Sequence, residues 1–308
     1  MKTINLYLTI LVIALFATSC SNTITNKDDY AQFLNTAANT YLKQIEKDSG
    51  FDYYIRLAKW EDHNGNLDAA ISNMEKAAAI AESSNLDGLK QWSYTNLADF
   101  YGHAGEIEKS YQHFLMALEI DPQDAYAKKG IAWILYSHEN KPEEALAILE
   151  HCTTYYKSPD YELLKAEIAD FIDNNDLKDQ SIESYMAMSE NPLYGDMYNS
   201  HTAMVFNDEL SQPKNAIVLA RDEVENRPTP ASYDLLAWSY YNSGNTDLAL
   251  QIIDEKVYGK TFEPAVLYHI AVIFKEVGRS NELDKLKQEL IASSYELGPL
   301  TESKIRQL

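Results

Sequence analysis

Cysteine is almost missing from the chain. Cys20 and Cys152 are the two present in 308 residues, so no cysteine cluster exists to hold structural zinc. Glycine is scarce as well, at 11. Its copies mostly mark predicted turns and no glycine-rich phosphate loop appears. Basic residues are outnumbered, 26 against 47 acidic, for a formal net charge of −21. That balance excludes nucleic acid, whose phosphates need a basic face, and electrostatic adhesion to anionic lipid. The seven histidines are scattered and none forms an H-E-x-x-H pair, so no metal or other cofactor is expected. Asp173-Asn174-Asn175-Asp176 starts like a calcium loop, but Leu177 and Lys178 stand where a ligand and a glycine are needed. No G-x-S-x-G elbow is present, and carboxylates are too many for any pair to stand out as catalytic. The expectation is a protein that is not an enzyme.

What is present begins at the N-terminus. Lys2 precedes a stretch from Ile4 to Phe16 that is apolar except for Asn5 and Thr9, followed by Ala17-Thr18-Ser19 and Cys20. Charge, a short apolar run and small residues in that order read as a secretory signal, too short for a stable membrane span. The cysteine directly after the small residues resembles the lipobox of bacterial lipoproteins. That resemblance implies cleavage before Cys20, acyl chains on its thiol and firm attachment to a membrane through the lipid. It also leaves Cys152 without a disulfide partner, so stability must come from apolar packing, for which 45% hydrophobic content suffices. Ser21, with no Asp beside Cys20, implies by the sorting preference of enteric lipoproteins the outer membrane of a Gram-negative cell, with the leaflet left open. The boundaries read as signal peptide 1–19, polar tether 20–27, an amphipathic capping helix 28–50, a repeat array 51–290, and a C-terminal cap or frayed tail 291–308.

Self-similarity runs through the remainder. Tyr94, Leu97, Ala98 and Tyr101 share a helical face, Gly105 follows in a turn, Ser110, Phe114 and Ala117 line a second helix, and Pro122 ends it. Tyr233, Leu236, Ala237, Tyr240, Gly244, Ala249 and Ile253 repeat the register far downstream. Weaker copies centre on Ala58 and Ala70, Ala132 and Ala145, Ala169 and Ser181, Ala203 and Ala216, and on Ala271. The spacing resembles the 34-residue tetratricopeptide repeat (TPR). It implies an all-α, right-handed α-α superhelix of about seven helix pairs, each stacked on its neighbours because none can bury its apolar face alone. Small side chains let the two helices of a pair approach, and aromatics fill the space between them. Cys152 occupies one of the small positions and reads as a packed core thiol.

In TPR proteins the first helix of each pair lines a concave groove. Carried over position by position, the resemblance puts Trp92, Asp99 and His103 there, then Tyr126, Lys129, Trp133 and Tyr136. Asp170, Asp173 and Asn174 follow, then Tyr198, His201, Asp208 and Glu209, and finally Asp234, Trp238, Tyr241 and Asn242. Trp92, Trp133, Tyr136, Trp238 and Tyr241 are the candidate groove-binding residues. Two readings stay open. The aromatics take up an extended peptide or stack on sugar rings, or they pack on the next repeat. Arg56, Lys59 and Asn96 are the nearest approach to the cationic clamp by which some TPR domains grip a C-terminal carboxylate, and the acidic field suits a basic peptide or a neutral glycan better. The function expected is a non-catalytic scaffold or adaptor binding a protein or peptide at the bacterial envelope. The alternative is an accessory of an outer-membrane polysaccharide-utilisation system.

Overall fold

The computed structural model describes residues 50–84 and 86–308. The signal segment, Cys20, the tether and the expected capping helix up to residue 49 lie outside the described residues. Among those described there are fifteen α-helices and no strand. They alternate as seven pairs: α1 (Phe51–His63) with α2 (Leu67–Ser84), α3 (Asp87–His103) with α4 (Ile107–Ile120), and α5 (Ala125–Ser137) with α6 (Pro142–Thr153). Then come α7 (Pro159–Phe171) with α8 (Asn175–Ser189), α9 (Asn199–Asp208) with α10 (Pro213–Asn226), and α11 (Pro230–Asn242) with α12 (Thr246–Ile252). The last pair is α13 (Pro264–Glu276) with α14 (Ser280–Ala292), and a single helix, α15 (Ser294–Ile305), follows. No described helix is long and apolar enough to cross a membrane.

Local chemistry starts and stops these helices. Pro142, Pro159, Pro213, Pro230 and Pro264 open five of them, where a missing N–H costs nothing. Asp124, Asn174 and Asn245 cap three more, and Thr229 the Pro230 helix, each accepting the N–H of the third helical residue. Within every pair the turn contains one residue in the left-handed region. Gly65, Gly105, Gly244 and Gly278 take it in four pairs, and Asn140, Asp173 and Ser211 in the other three. Asp173 therefore belongs to an inter-helix turn and Asn174 to a cap, as the failed calcium pattern suggested. Glycine was a visible turn marker in only four pairs; the other three adopt the same backbone with a side chain, at some cost in strain.

Packing follows the small residues. Ala58, Ala98, Ala132, Ala169, Ala203, Ala237 and Ala271, one on the first helix of each pair, all have 0% exposure. Ala70, Ser110, Ala145, Ser181, Ala216 and Ala249 face them from the second helices of six pairs and are equally buried. The seventh pair uses Leu283 there and compensates with the largest continuous core, in which Ile270, Ile273, Phe274 and Leu290 are fully enclosed. Burying each such side chain contributes roughly 1.5–3 kcal/mol. Cys152 is a free thiol inside the third pair's core, and the Tyr155 hydroxyl points to its sulfur at 3.6 Å.

Two contacts bring distant repeats together. A Cβ on Gly65 would meet the Phe262 ring at 3.2 Å, so the loop before the seventh pair touches the turn of the first. Helix α15 then leaves the stacking order and touches α3, α5, α7 and α13, first helices of four different pairs. It is broken at Gly298 (φ 74, ψ 163), just before Pro299. Residues 291–308, for which a C-terminal cap or a frayed tail was expected, are helical from Ser294 to Ile305 and dock on the first helices of the array.

Candidate functional site

The first helices place their inward side chains around a cavity of about 620 Å³. Asp99 and His103 come from α3, Tyr126, Lys129 and Trp133 from α5, and His201 from α9. All six were expected at groove positions, and the structure brings them together. A neighbouring cavity of about 370 Å³ shares Asp99, His103 and Glu263 with it and adds Lys59 and Asn96.

The five candidate aromatics separate into different roles. Trp133 is half-buried at the cavity wall, and its Nε1–H donates to the Tyr295 carbonyl of α15 at 3.2 Å. Tyr136 has 0% exposure; its hydroxyl accepts the Leu300 N–H at 3.4 Å, and its ring stands edge-on to Trp133 and Phe171. Trp238 is buried: His269 stacks on it at 4.2 Å, Tyr241 at 5.3 Å, and its Nε1–H donates to Asp208 at 2.8 Å. Tyr241 is half-buried in that stack. Trp92 lies against Phe51 with Lys59 over its ring, outside both cavities. Of the five, only Trp133 lines either cavity.

Helix α15 occupies the groove as a ligand would. Backbone groups of Tyr295 and Leu300 are bound by the side chains of Trp133 and Tyr136. Two glycines make that approach possible. A Cβ on Gly102 would fall 2.8 Å from the Tyr295 ring, and one on Gly298 would fall 2.8 Å from Glu167 Oε1 and 2.9 Å from the Trp133 ring. At Gly298 the positive φ also disfavours any side chain. At the far end Lys275 donates to the Gln307 carbonyl at 2.7 Å.

Burial sets the electrostatics. Glu167 loses water in the wall, which pushes its carboxyl up to about 7, against the opposing pull of a Tyr136 hydrogen bond and the Lys304 charge. Desolvation likewise raises Asp99, partly offset by the Tyr126 hydroxyl it accepts at 2.6 Å. Asp160 is also desolvated, yet hydrogen bonds from Ser158 and Tyr198 together with the Lys129 charge hold it below the usual range. His201 is pushed down by burial, against the pull of Asp160. Among the described residues no group of three His, Cys, Asp or Glu side chains is placed to hold a metal ion.

Position-by-position reasoning missed Glu167, Glu263, Tyr295 and Glu296, all of which line the larger cavity. Glu167 lies two residues before Ala169, outside the five inward positions of the repeat, and the others lie in a loop and in α15, which belong to no repeat. The one available signal was the Gly298-Pro299 break inside an otherwise helical stretch.

Residues 93–124 match the family model of the tetratricopeptide repeat. No curated protein gives a significant match. Among solved structures the chain is similar to a tetratricopeptide repeat protein from Parabacteroides merdae, with 12% identity, 83% of this chain and 96% of that one covered, and a TM-score of 0.46. It is similar to PilF of Pseudomonas aeruginosa, with 18% identity, 65% and 90% coverage and a TM-score of 0.42. Human IFIT1, crystallised as a dimer with m7Gppp-AAAA, gives 15% identity, 82% and 71% coverage and a TM-score of 0.47. The chain carries a tetratricopeptide repeat, and its fold is an all-α array of such helix pairs.

Proposed function

We propose that this protein is a non-catalytic scaffold that holds a protein or peptide partner in the groove of its repeat array, at the envelope of a Gram-negative bacterium to which a lipid on Cys20 ties it. The observation that carries the reading is the behaviour of the groove towards the chain's own C-terminus. Trp133 and Tyr136 bind main-chain groups of Tyr295 and Leu300, so one first helix, α5, holds a peptide through two of its side chains. Tyr126, 52% exposed, and His103 stand at the open side of the same surface. The aromatics that would have offered flat faces to sugar rings are largely taken up in packing, since Trp238 is stacked and Tyr136 enclosed. A polysaccharide-utilisation role accordingly stays the alternative, resting on the lipoprotein resemblance alone.

A photo-crosslinking residue at Tyr126, compared with one at Val218 on a second helix, tests the groove. The expected outcome in intact cells is one discrete adduct from position 126 and none from 218; equal labelling from both positions refutes a groove partner. Metabolic labelling with palmitate tests the anchor: wild type takes up label and Cys20→Ala does not. Label persisting on the Ala variant removes Cys20 as the lipidation site.

A further inference from the structure

Helix α15 is held in the groove largely by what it shares with any peptide. Trp133 donates to the Tyr295 carbonyl and Tyr136 accepts the Leu300 N–H, so both bonds go to main-chain groups. Its side chains add little. Of its residues Gly298 and Ile305 are buried, whereas α13, the first helix of a regular pair, buries more than half of its own. Docking also leaves two carboxyls poorly placed. Glu167 Oε1 lies beneath Gly298 with no hydrogen-bond partner and no access to water. Glu296 of α15 is brought into the cavity beside Asp99 and Glu263. There burial and the charges of Glu263 and Asp62 raise its carboxyl, against the pull of His103. Both costs are relieved once α15 leaves and water reaches these groups.

Three positions set what can take its place. Gly298 has φ 74 and ψ 163, a combination open almost to glycine alone, and a Cβ there would meet Glu167 and Trp133. Three residues earlier the Tyr295 ring lies against Gly102, too close to leave room for a Cβ on that glycine. Between the two, position 296 faces Glu263 and Asp62, which suit a basic side chain better than a glutamate. We propose that α15 is an exchangeable occupant of the partner groove. It closes the Trp133–Tyr136 subsite within the chain, and a partner enters by displacing it with a segment of matching pattern: an aromatic residue three positions before a glycine, followed directly by a basic or uncharged residue. This rests on the peptide-groove reading above and adds to it the partner's pattern and the internal contact that the partner must break.

The test is fluorescence anisotropy of a labelled synthetic peptide of residues 293–308, titrated with the full chain in detergent. In the wild type α15 competes as a tethered copy of the same segment, so the free peptide should bind weakly. Gly298→Val and Tyr295→Ala each loosen α15 and leave the first helices untouched. Both variants should bind the peptide about tenfold or more tighter and be cut faster by trypsin at Lys304. Adding Gly102→Leu to either should abolish binding, because its side chain fills the place of the aromatic ring. A peptide carrying Glu296→Lys should bind tighter than the native one, and a peptide carrying Gly298→Val should not bind. Equal affinity in wild type and both variants, no binding to either variant, unaffected binding after Gly102→Leu, or weaker binding of the Glu296→Lys peptide overturns the proposal. The crosslinks from position 126 judge the groove separately: adducts there, with peptide affinity indifferent to the loosening of α15, would refute the exchange and leave the groove standing.

Discussion

Replacing Glu167 by Gln should change how the stability of this protein depends on pH. Burial raises the Glu167 carboxyl from an ordinary 4.5 to about 7 in the folded chain. A carboxyl raised in this way binds its proton more tightly folded than unfolded. Its contribution is therefore fully present below about pH 4.5 and is lost as pH rises through about 7. Above that point the folded state holds a desolvated charge, at a cost of about 3 kcal/mol for a displacement of this size. Gln keeps the shape and carries no charge, so its stability should lack this slope. The difference between variant and wild type should shift in favour of Gln by about 3 kcal/mol between pH 5 and pH 8. Urea unfolding followed by circular dichroism at four pH values measures it, with limited trypsin digestion beside it to report whether Lys304 in α15 becomes accessible first. Parallel pH profiles for the two proteins would refute the reasoning, because they would mean that Glu167 is solvated in the folded state.

Gly298→Val should dislodge α15, since the new side chain meets Glu167 and Trp133 at a positive φ. Trypsin should then cleave at Lys304 many times faster and Trp emission shift to the red with little loss of helix, and an unchanged digest would contradict the docking. His269 donates to or accepts from Asp234 at 2.7 Å in a fully buried pair, and the carboxylate raises the imidazole despite its burial. Its contribution is thus complete below about pH 6.5 and fades as pH climbs through the raised value. His269→Phe should destabilise by about 3 kcal/mol at pH 6, by leaving Asp234 alone, and by less at pH 9; thermal melts at the two pH values decide. Ser211→Gly relieves a left-handed turn at a position where four other pairs already use glycine. It should stabilise by up to about 1 kcal/mol, net of glycine's greater unfolded-state freedom, measured as a higher urea midpoint.

The helix pairs were legible because their cause is local and repeated. Ala98, Ser110 and Ala117 mark a pair wherever their spacing recurs, and Ala237 and Ala249 mark another; each lies fully buried at a helix contact. The turns at Asn140, Asp173 and Ser211 were harder to read, because any of those residues is more often found in ordinary loops than in the left-handed region. Part of the site was accessible by the same logic, since Asp99, His103, Tyr126, Lys129, Trp133 and His201 fall on inward positions of the repeat. Their role as open surface was not, and Tyr136 shows why: the position points inward, yet the Leu300 N–H and the packing of α15 enclose it.

By itself, then, the sequence determined the stacking of paired helices, because each pair needs only its neighbour and announces that need through small residues at a fixed interval. The tertiary structure alone decided that α15 crosses back to Trp133, a contact spanning 162 residues, and that Glu167 ends without a partner for Oε1 beneath Gly298. Such contacts are made once, between segments with no shared period, and depend on how the small rotations of seven successive pairs add up in space. A pattern along one dimension carries no record of that sum.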